Sequence, residues 1–221
     1  MTFPLYPKIN SIQKRHKDGP LKGQFTGEWA IPEFAYLADN EWVWREKIDG
    51  TNIRIHLTCD ASGWPQVEFG GRTENAQLPA PLVTVLNQLF NTDDAKDRIR
   101  ETFGFDSLRQ GVVLFGEGYG EGIQKGGAYG PVDFILFDVM VGGWWLFENS
   151  VTDIAENLQI NRVPVIGSGT LKEAIQIVQW KALKSEWPEV EPEGIVAVPT
   201  VPLFDRKGHR IMAKIKGVDF P

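Results

Sequence analysis

Short strand-like segments, spread along the chain without regular alternation with helices, limit the possible folds more than any other feature. Apolar runs of strand length and segments in which apolar and polar residues alternate are both typical of β-strands. Because such segments outnumber the helical ones, the expected class is α+β with largely antiparallel sheets. The segments are "NIRIHL" (52–57), "GVVLFGE" (111–117), "DFILFDVMV" (133–141), "GIVAVP" (194–199) and "RIMAKIKG" (210–217).

Helical periodicity is found in three other segments. Residues 80–103 predict either one interrupted helix or two, and residues 171–186 carry an apolar stripe at helical spacing. Residues 150–159 predict a shorter helix that opens with the capping residue Ser150. The Pro-rich "WPEVEPEG" (187–194) predicts a loop that leads into a strand.

Length and composition are those of a globular protein. The chain has 221 residues, 42% of them hydrophobic, and no obvious linker, so we expect one domain over residues 1–221, with residues 1–27 as a basic segment packed on or beside it. It contains neither a run of eighteen apolar residues nor the apolar core of a signal peptide. A single cysteine, Cys59, fits a reducing compartment. We therefore expect no membrane partner and a cytoplasmic protein, or a phage protein that acts in the host cytoplasm.

Basic residues are concentrated in two segments of an otherwise acidic chain. The net charge is −6, yet residues 1–22 contain five Lys or Arg and one Asp, and residues 206–216 contain five Lys or Arg and no acid. Such segregation lets an acidic protein present a basic surface to nucleic acid. Solvated chain ends explain the same charges, so charge alone leaves both interpretations open.

Lys47 lies between a short apolar run and a tight turn, in "WVWREKIDGTNIRIH" (42–56). A lysine attacks an electrophile only when its amine is neutral, and burial and neighbouring cations favour that form. Gly50 would let a phosphate approach the backbone closely. Taken alone, Lys-x-Asp-Gly is more often a surface turn than a catalytic motif.

Four further segments follow Lys47 in a defined order. The whole series resembles motif I, the arginine motif after it, motifs III and IIIa together, motif IV and the Lys-x-Lys motif V of the covalent nucleotidyltransferases, the superfamily of polynucleotide ligases and mRNA capping enzymes. The similarity is greatest to the RNA ligase 2 family, in the sequences "REKIDGTN", "FGEGYGEGIQK" and "FDV". The resemblance extends from about residue 28 to 220. The segments are "EKIDGTN" (46–52), "GGRT" (70–73), "LFGEGYGEGIQKGGAYGPVDFILFDV" (114–139), "PEGIVAVP" (192–199) and "IMAKIKG" (211–217).

The resemblance implies a nucleotidyltransferase fold, that is, the ATP-grasp-like fold of a ligase adenylation domain. This fold has two packed, mainly antiparallel sheets flanked by helices. It also implies an ATP-dependent RNA ligase. Lys47 would attack the α-phosphate of ATP, form lysyl-N-AMP and release pyrophosphate. AMP would then pass to an RNA 5′-phosphate, and an RNA 3′-hydroxyl would displace it. The implied partners are RNA ends, nicked or single-stranded.

The resemblance also implies contacts with the nucleotide. Glu46 and the adjacent backbone at Ile48 would read the adenine edge, and Phe137 would stack on the base. A core position is the alternative for Phe137, although Phe134, on the opposite face of the strand, is the better core candidate.

Three more polar residues are implied to bind nucleotide or RNA. Arg72 and Glu117 would bind the sugar and a nearby phosphate, since a guanidinium suits phosphate oxygens and a carboxylate suits a hydroxyl. Asn52 would face the reacting nucleotide or the RNA end.

Two lysines and one acid complete the implied site. Lys214 and Lys216 alternate with apolar residues and share one strand face, where they would neutralise the triphosphate and the charge that develops during transfer. A solvated edge strand is the alternative. Glu193 would help to hold Mg²⁺ or Mn²⁺, since hard cations prefer oxygen ligands.

Two features depart from the family pattern. Motif IV commonly ends in lysine, but here that position is Val198, and Lys207 or Arg210 is a candidate substitute. Five residues follow Lys216, so we expect no C-terminal appendage. An accessory protein would replace it, or five N-terminal cations would contact the RNA backbone. These are Lys8, Lys14, Arg15, Lys17 and Lys22.

Other functions fit the same motifs. A capping enzyme would use GTP, and a DNA ligase would seal nicked DNA. A non-catalytic protein that binds RNA ends, or one subunit of a split ligase, would keep the fold without the chemistry.

Overall fold

The computed structural model describes residues 4–124 and 129–220. We expected the Gly-rich segment "GEGYGEGIQKGG" (116–127) to be a loop beside the motif III strand. Its first four residues, to Tyr119, instead lie within that strand, and residues 125–127 lie outside the described residues.

The described chain packs as two compact units. The first unit comprises Met1–Tyr6 and Asp49–Val163, and the second comprises Pro7–Ile48 and Pro164–Pro221. Each unit has its own sheet and its own hydrophobic core. The expectation of a single domain over residues 1–221 stays a prediction.

Strands and helices are numbered separately in chain order. The helices are α1 (Pro32–Tyr36), α2 (Ala80–Phe90), α3 (Asp93–Gln110), α4 (Glu148–Leu158) and α5 (Leu171–Gln179). Gly104, with a φ of 67°, interrupts α3 and divides it into two helical parts. The strands are β1 (Asn10–Ser11), β2 (Gln13–Arg15), β3 (Phe25–Trp29), β4 (Trp42–Glu46), β5 (Thr51–Cys59), β6 (Pro65–Gly70), β7 (Val112–Tyr119), β8 (Asp133–Val141), β9 (Trp144–Trp145), β10 (Asn161–Arg162), β11 (Val165–Gly169), β12 (Gly194–Pro199) and β13 (Ala213–Lys216).

Both main sheets are largely antiparallel, which confirms the predicted α+β class. The first unit contains the sheet β10-β8-β7-β5-β6, with β9 beside β8, and only β10 runs parallel to its neighbour. The second unit contains the sheet β1-β13-β12-β4-β11, in which only β1 is parallel to its neighbour. The hairpin of β2 and β3 also belongs to the second unit.

Most predicted elements form where expected. The bounds of β8 and β12 match the predicted segments, and β5 extends its segment at both ends. Strand β7 begins one residue later and ends two residues later than predicted. The predicted strand over residues 210–217 is shorter, because its first residue instead pairs with Phe204 across a loop. The long helical pattern divides into α2 and α3, since Thr92 caps α3 by accepting the N–H of Ala95.

Two helix ends differ from the prediction. Helix α5 ends at Gln179 instead of continuing to residue 186, and Lys181, just beyond it, has a φ of 52°, which no right-handed helix contains. Helix α4 begins at Glu148, with extended Phe147 at its cap position, so Ser150 lies inside the helix and does not cap it.

The core of the first unit lies on one face of its sheet. Alternate residues of β5 are buried there beneath α2, α3 and α4. Phe134 is fully buried in this core, which confirms its predicted place. The other face of β5 therefore carries Asn52, Arg54 and His56.

Candidate functional site

In the second unit, strand pairing brings motifs I, IV and V together. Lys47 follows β4 directly, and its N–H donates to the carbonyl of Gly194 at 2.9 Å. Gly194 in turn pairs with Lys216 of β13. Glu193, which immediately precedes β12, is thereby positioned between the two lysines.

The carboxylate of Glu193 bridges these lysines. Lys47 Nζ donates to Glu193 Oε2 at 2.6 Å, and Lys216 Nζ forms a salt bridge with Oε1 of the same group. The three side chains are only 18–29% exposed, so the attraction between them is less screened than on an open surface. Three residues predicted for one site from separate motifs are therefore in direct contact.

Lys214 lies on the face of β13 that the sequence predicted. It is half-buried, while its strand neighbours Ala213 and Ile215 are fully buried in the core of the second unit. Strand alternation puts Lys214 on the same side of β13 as Lys216. The predicted two-faced strand is confirmed.

A metal ion would have few protein ligands in this cluster. Within residues 4–124 and 129–220, no three His, Cys, Asp or Glu side chains form a possible metal-binding group. One carboxylate nevertheless fits magnesium, which is commonly held by one or two carboxylates together with water and substrate phosphates. The donor chemistry of Glu193 is thus compatible with its predicted role, which stays a prediction.

Glu46 is buried on the side of β4 that faces α5. By strand alternation it shares that side with Trp44, which lies in the core of the second unit. Its Oε1 accepts a hydrogen bond from Ser185 Oγ at 2.6 Å, and its Oε2 accepts the N–H of Glu186 at 3.2 Å. The chain segment after α5 therefore holds both oxygens of Glu46. Sequence reasoning missed this contact, since Ser185 carries no motif signal. The predicted reading of adenine by Glu46 stays a prediction.

Loss of the Ser185 hydroxyl is expected to destabilise the protein more at neutral than at acidic pH. Burial raises the pKa of Glu46, and the hydrogen bonds from Ser185 and Glu186 oppose that rise. Between the unfolded and folded pKa values the native state binds more protons, so stability falls as pH rises through this window. Ser185→Ala raises the pKa of Glu46 further and widens the window. We expect a loss of about 1–2 kcal/mol at pH 7.5 and a smaller one at pH 4.5.

Urea denaturation at both pH values measures this difference. Ser168→Ala is a matched control, because Ser168 Oγ donates to the exposed Glu41 at 3.1 Å. We expect the control to lose at most about 0.5 kcal/mol at either pH. Equal destabilisation of Ser185→Ala at pH 4.5 and pH 7.5 would contradict the assignment.

The basic N-terminal segment contacts the end of the chain in the second unit. Arg15 donates to the buried Asp219 at 2.5 Å, and its guanidinium lies 4.7 Å from the ring centre of Phe25. Lys14 pairs with Glu28 at 2.8 Å. Two of the five cations predicted to contact RNA are therefore engaged by acids of the protein. The other three, Lys8, Lys17 and Lys22, are exposed.

In the first unit, Asn52 and Glu117 lie directly opposite each other on β5 and β7. Opposed residues of an antiparallel pair project from the same face, here the face away from the core. Asn52 Oδ1 is buried and has no hydrogen-bond partner within the described residues. Buried polar atoms are rarely left unpaired, so this oxygen is available to accept a hydrogen bond from a bound molecule.

Phe137 is the extra residue of a β-bulge, between the pairs formed by Leu136 and Asp138 with β7. It is half-buried, and its ring centre lies 4.8 Å from that of Tyr6. Tyr6 also donates its hydroxyl to Asp138 at 2.5 Å. Sequence reasoning missed Tyr6, since a lone aromatic residue outside any periodic pattern gives no signal.

Arg72 is exposed in the loop after β6. The fully buried Arg54 holds that loop, because its Nε donates to the carbonyl of Gly71 at 2.7 Å. Arg54 also pairs with Glu74 at 3.3 Å. Sequence reasoning missed this role of Arg54. The available signal was a cation in the middle of the alternating segment 52–57, on the face opposite the core.

Val198, which occupies the place of the usual motif IV lysine, is buried in β12 opposite Val43. Of its two candidate substitutes, Arg210 is buried and Lys207 is exposed on a loop. Ile48, the remaining predicted nucleotide contact, is buried, and its carbonyl accepts from Lys47 Nζ at 3.4 Å.

Comparison with known proteins identifies the family. A family model described as RNA ligase matches residues 40–216, which is most of the chain. The chain belongs to the RNA ligase family. The matched region contains every residue predicted for the site, from Glu46 to Lys216.

Solved RNA ligases share the fold of this family member. A mutant of Naegleria gruberi RNA ligase with ATP and Mn matches with a TM-score of 0.62 and 15% identity, over 85% of this chain and 52% of that one. A second mutant with ATP and Mn matches with a TM-score of 0.62 and 14% identity, over 97% and 64%. The same ligase with PPi matches with a TM-score of 0.60 and 16% identity, over 97% and 59%. These likenesses confirm the nucleotidyltransferase fold.

The chain spans 52–64% of the length of the ligase chain in these three structures. Among the described residues of this family member, the helices are all too short or too polar to cross a membrane.

Proposed function

We propose that this protein is an ATP-dependent RNA ligase that forms a covalent lysyl-AMP at Lys47. The observation that carries the proposal is the bridge from Lys47 through Glu193 to Lys216. It joins a candidate nucleophile to a second cation through one carboxylate, and all three residues belong to motifs of the family. A surface turn, the alternative for Lys47, does not account for a partly buried three-residue cluster.

Lys47 performs the covalent step in this proposal. Its Nζ forms a bond to the α-phosphorus of ATP while the bond from that phosphorus to the bridging oxygen breaks, and pyrophosphate leaves. Since the attacking amine must be neutral, Lys47 has to release both a proton and its contact with Glu193 before it attacks. Lys214 and Lys216 neutralise the charge of the transferring phosphate.

ATP and a divalent cation are proposed as cofactors because the matched Naegleria ligases contain ATP and Mn. Glu193 would hold Mg²⁺ or Mn²⁺, and the metal would neutralise phosphate charge. Glu193 also changes partners in this proposal, since it cannot serve the metal while it holds both lysines.

The remaining predicted residues bind the nucleotide. The unpaired buried Oδ1 of Asn52 supports a contact with a ligand donor. Glu117, on the same face, is proposed for a ribose hydroxyl and Arg72 for a phosphate. Phe137 is proposed to stack on adenine, and Glu46 with the Ile48 backbone to contact its edge. RNA ends, which receive the AMP, are the proposed substrates, and an accessory protein stays a prediction.

Incubation with α-labelled ATP and Mg²⁺, followed by a 5′-phosphorylated RNA, tests the function. We expect label on the intact protein first, and then on the RNA. Parallel reactions with GTP and with nicked DNA separate a capping enzyme and a DNA ligase from an RNA ligase. If no label reaches the protein from either nucleotide, the chain binds RNA ends without catalysis or requires a second subunit, and the proposal fails.

A further inference from the structure

Residues 204–210 form a closed loop on the connection between β12 and β13 in the second unit. Phe204 and Arg210 form an antiparallel bridge, and the N–H of Ile211 donates to the carbonyl of Leu203 at 2.9 Å. We call residues 204–210 the basic loop. It contains "FDRKGHR" and has no part in the chemistry proposed above.

Asp205 fixes the shape of the basic loop. Its Oδ1 accepts the N–H groups of Lys207 and His209, both at 2.8 Å, and its Oδ2 lies 2.9 Å from His209 Nδ1. The N–H of Asp205 donates back to the His209 carbonyl at 2.8 Å. Gly208, with a φ of 80°, completes the turn. The loop thus needs little further ordering when it binds a partner.

The acid of the loop points inward and its cations point outward. Arg206 and Lys207 are exposed, and neither side chain has an acidic partner in the described part of the chain. Phe204, at the base of the loop, is 49% exposed, and the side chain of His209 is 70% exposed. Lys14 and Lys172, by contrast, are surface lysines that pair with acids. Unpaired cations beside an exposed aromatic ring suit a nucleic-acid strand.

The basic loop lies at the far end of β12 and β13 from the Lys47–Glu193–Lys216 cluster. Gly194 pairs with Lys216 at one end of the two strands, and the loop connects them at the other. Arg206 lies ten positions before Lys216, so their Cα atoms are at most about 36 Å apart. A strand of a DNA duplex has one phosphate per about 3.4 Å of axis, so this distance corresponds to at most roughly ten nucleotides.

We propose that the basic loop binds the phosphate backbone of RNA within about ten nucleotides of the reacting end. Arg206 and Lys207 contact phosphates, and the exposed face of Phe204 is available to a base. The loop contributes affinity for RNA, and Arg206 takes no part in the transfer of AMP to Lys47. This inference rests on the proposed function, because it places the RNA end near Lys47.

The double variant Arg206→Gln/Lys207→Gln tests the basic loop. RNA affinity is measured by fluorescence anisotropy with a 5′-phosphorylated 20-nucleotide RNA between 50 and 200 mM salt. Each lost cation is expected to reduce the slope of log K against log salt by about 0.7, so the double variant loses about 1.4. Affinity at 0.15 M salt is expected to fall roughly tenfold. The control is Lys172→Gln/Lys181→Gln, two exposed lysines of the same unit, which should leave the slope unchanged.

The ATP reaction is measured without RNA in the same preparations. The single variant Arg206→Gln, which keeps Lys207, is expected to form the AMP adduct at the wild-type rate, which also shows that it is folded. An unchanged RNA affinity and salt slope in the double variant would overturn the role of the loop. A double variant that loses binding to polyglutamate but keeps its affinity for RNA would also overturn it, and would indicate an acidic protein partner. A wild-type protein that binds RNA but never forms the adduct would contradict the proposed function instead. The single variants Arg206→Gln and Lys207→Gln should each show about half of the slope change.

Discussion

Lys47→Ala is expected to reduce formation of the AMP adduct by a factor on the order of 10⁴ or more, because the variant has no side-chain nitrogen to bond to phosphorus. Intact-protein mass spectrometry after incubation with ATP and Mg²⁺ measures the adduct directly. The wild-type protein should gain one AMP moiety and the variant none. Label transfer to RNA should disappear with it.

Lys47→Arg separates the nucleophile from its charge. A guanidinium can still pair with Glu193, but it stays protonated in proteins and does not attack phosphorus. We therefore expect Lys47→Arg to be as inactive as Lys47→Ala while it stays closer to the wild type in thermal stability. Restored adduct formation in Lys47→Arg would show that position 47 contributes charge and not a nucleophile.

The matched control is Lys172→Ala, which removes a lysine paired with Asp39 at 2.7 Å on the surface of the same unit. It should form the adduct at the wild-type rate. A Lys47→Ala protein that still gains AMP would place the covalent bond elsewhere and contradict the central proposal.

Gly50→Ala is expected to have the second largest effect, although it removes no chemical group. A Cβ at this position would lie 2.3 Å from the carbonyl oxygen of Gly118 and 2.8 Å from Cγ of Glu117. The backbone oxygen cannot turn away, so β5 and β7 must separate at their paired ends. We expect a loss of about 3 kcal/mol in the free energy of unfolding. A displacement of Glu117 by about 1 Å would reduce adduct formation about 100-fold.

Thermal denaturation and single-turnover adduct formation measure the two effects. A loss of 3 kcal/mol corresponds to a melting temperature lower by about 6–12 °C for a chain of this size. Gly217→Ala is the control for stability, since a Cβ there meets no atom within 4 Å. A Gly50→Ala protein with wild-type stability and activity would contradict this expectation. It would show that β5 and β7 can separate at these ends at little cost in free energy.

Gly50 also has a structural cause that sequence reasoning missed. The motif predicted a glycine that lets a phosphate approach the backbone. The close neighbour in the structure is the protein itself, because β7 lies against this residue. No local pattern around residue 50 indicates that residue 118 is its neighbour.

Other features were predictable because their cause is local. Alternation along β13 predicted that Lys214 and Lys216 share one face, and apolar runs of strand length predicted β8 and β12. The buried place of Phe134 followed from the same two-residue period. These properties depend on the backbone geometry of single strands, which neighbouring residues determine.

Contacts between distant residues were not predictable in this way. Ser185 holds Glu46 across 139 positions, and Arg15 holds Asp219 across 204. Ser185 and Arg15 lie in segments without a catalytic motif, so the sequence offered no reason to pair them with these acids. Of the five N-terminal cations predicted to contact RNA, Arg15 is thus bound to an acid of the protein itself.

The amino-acid sequence determined the family, the candidate nucleophile and the faces of the strands, because motif spacing and side-chain period are properties of consecutive residues. The tertiary structure decided which charges meet. Glu193, expected only as a metal ligand, lies between Lys47 and Lys216 because β12 pairs with β4 on one side and β13 on the other. Such pairings join segments far apart in the chain, and the free energy that selects them comes from burying the whole sheet.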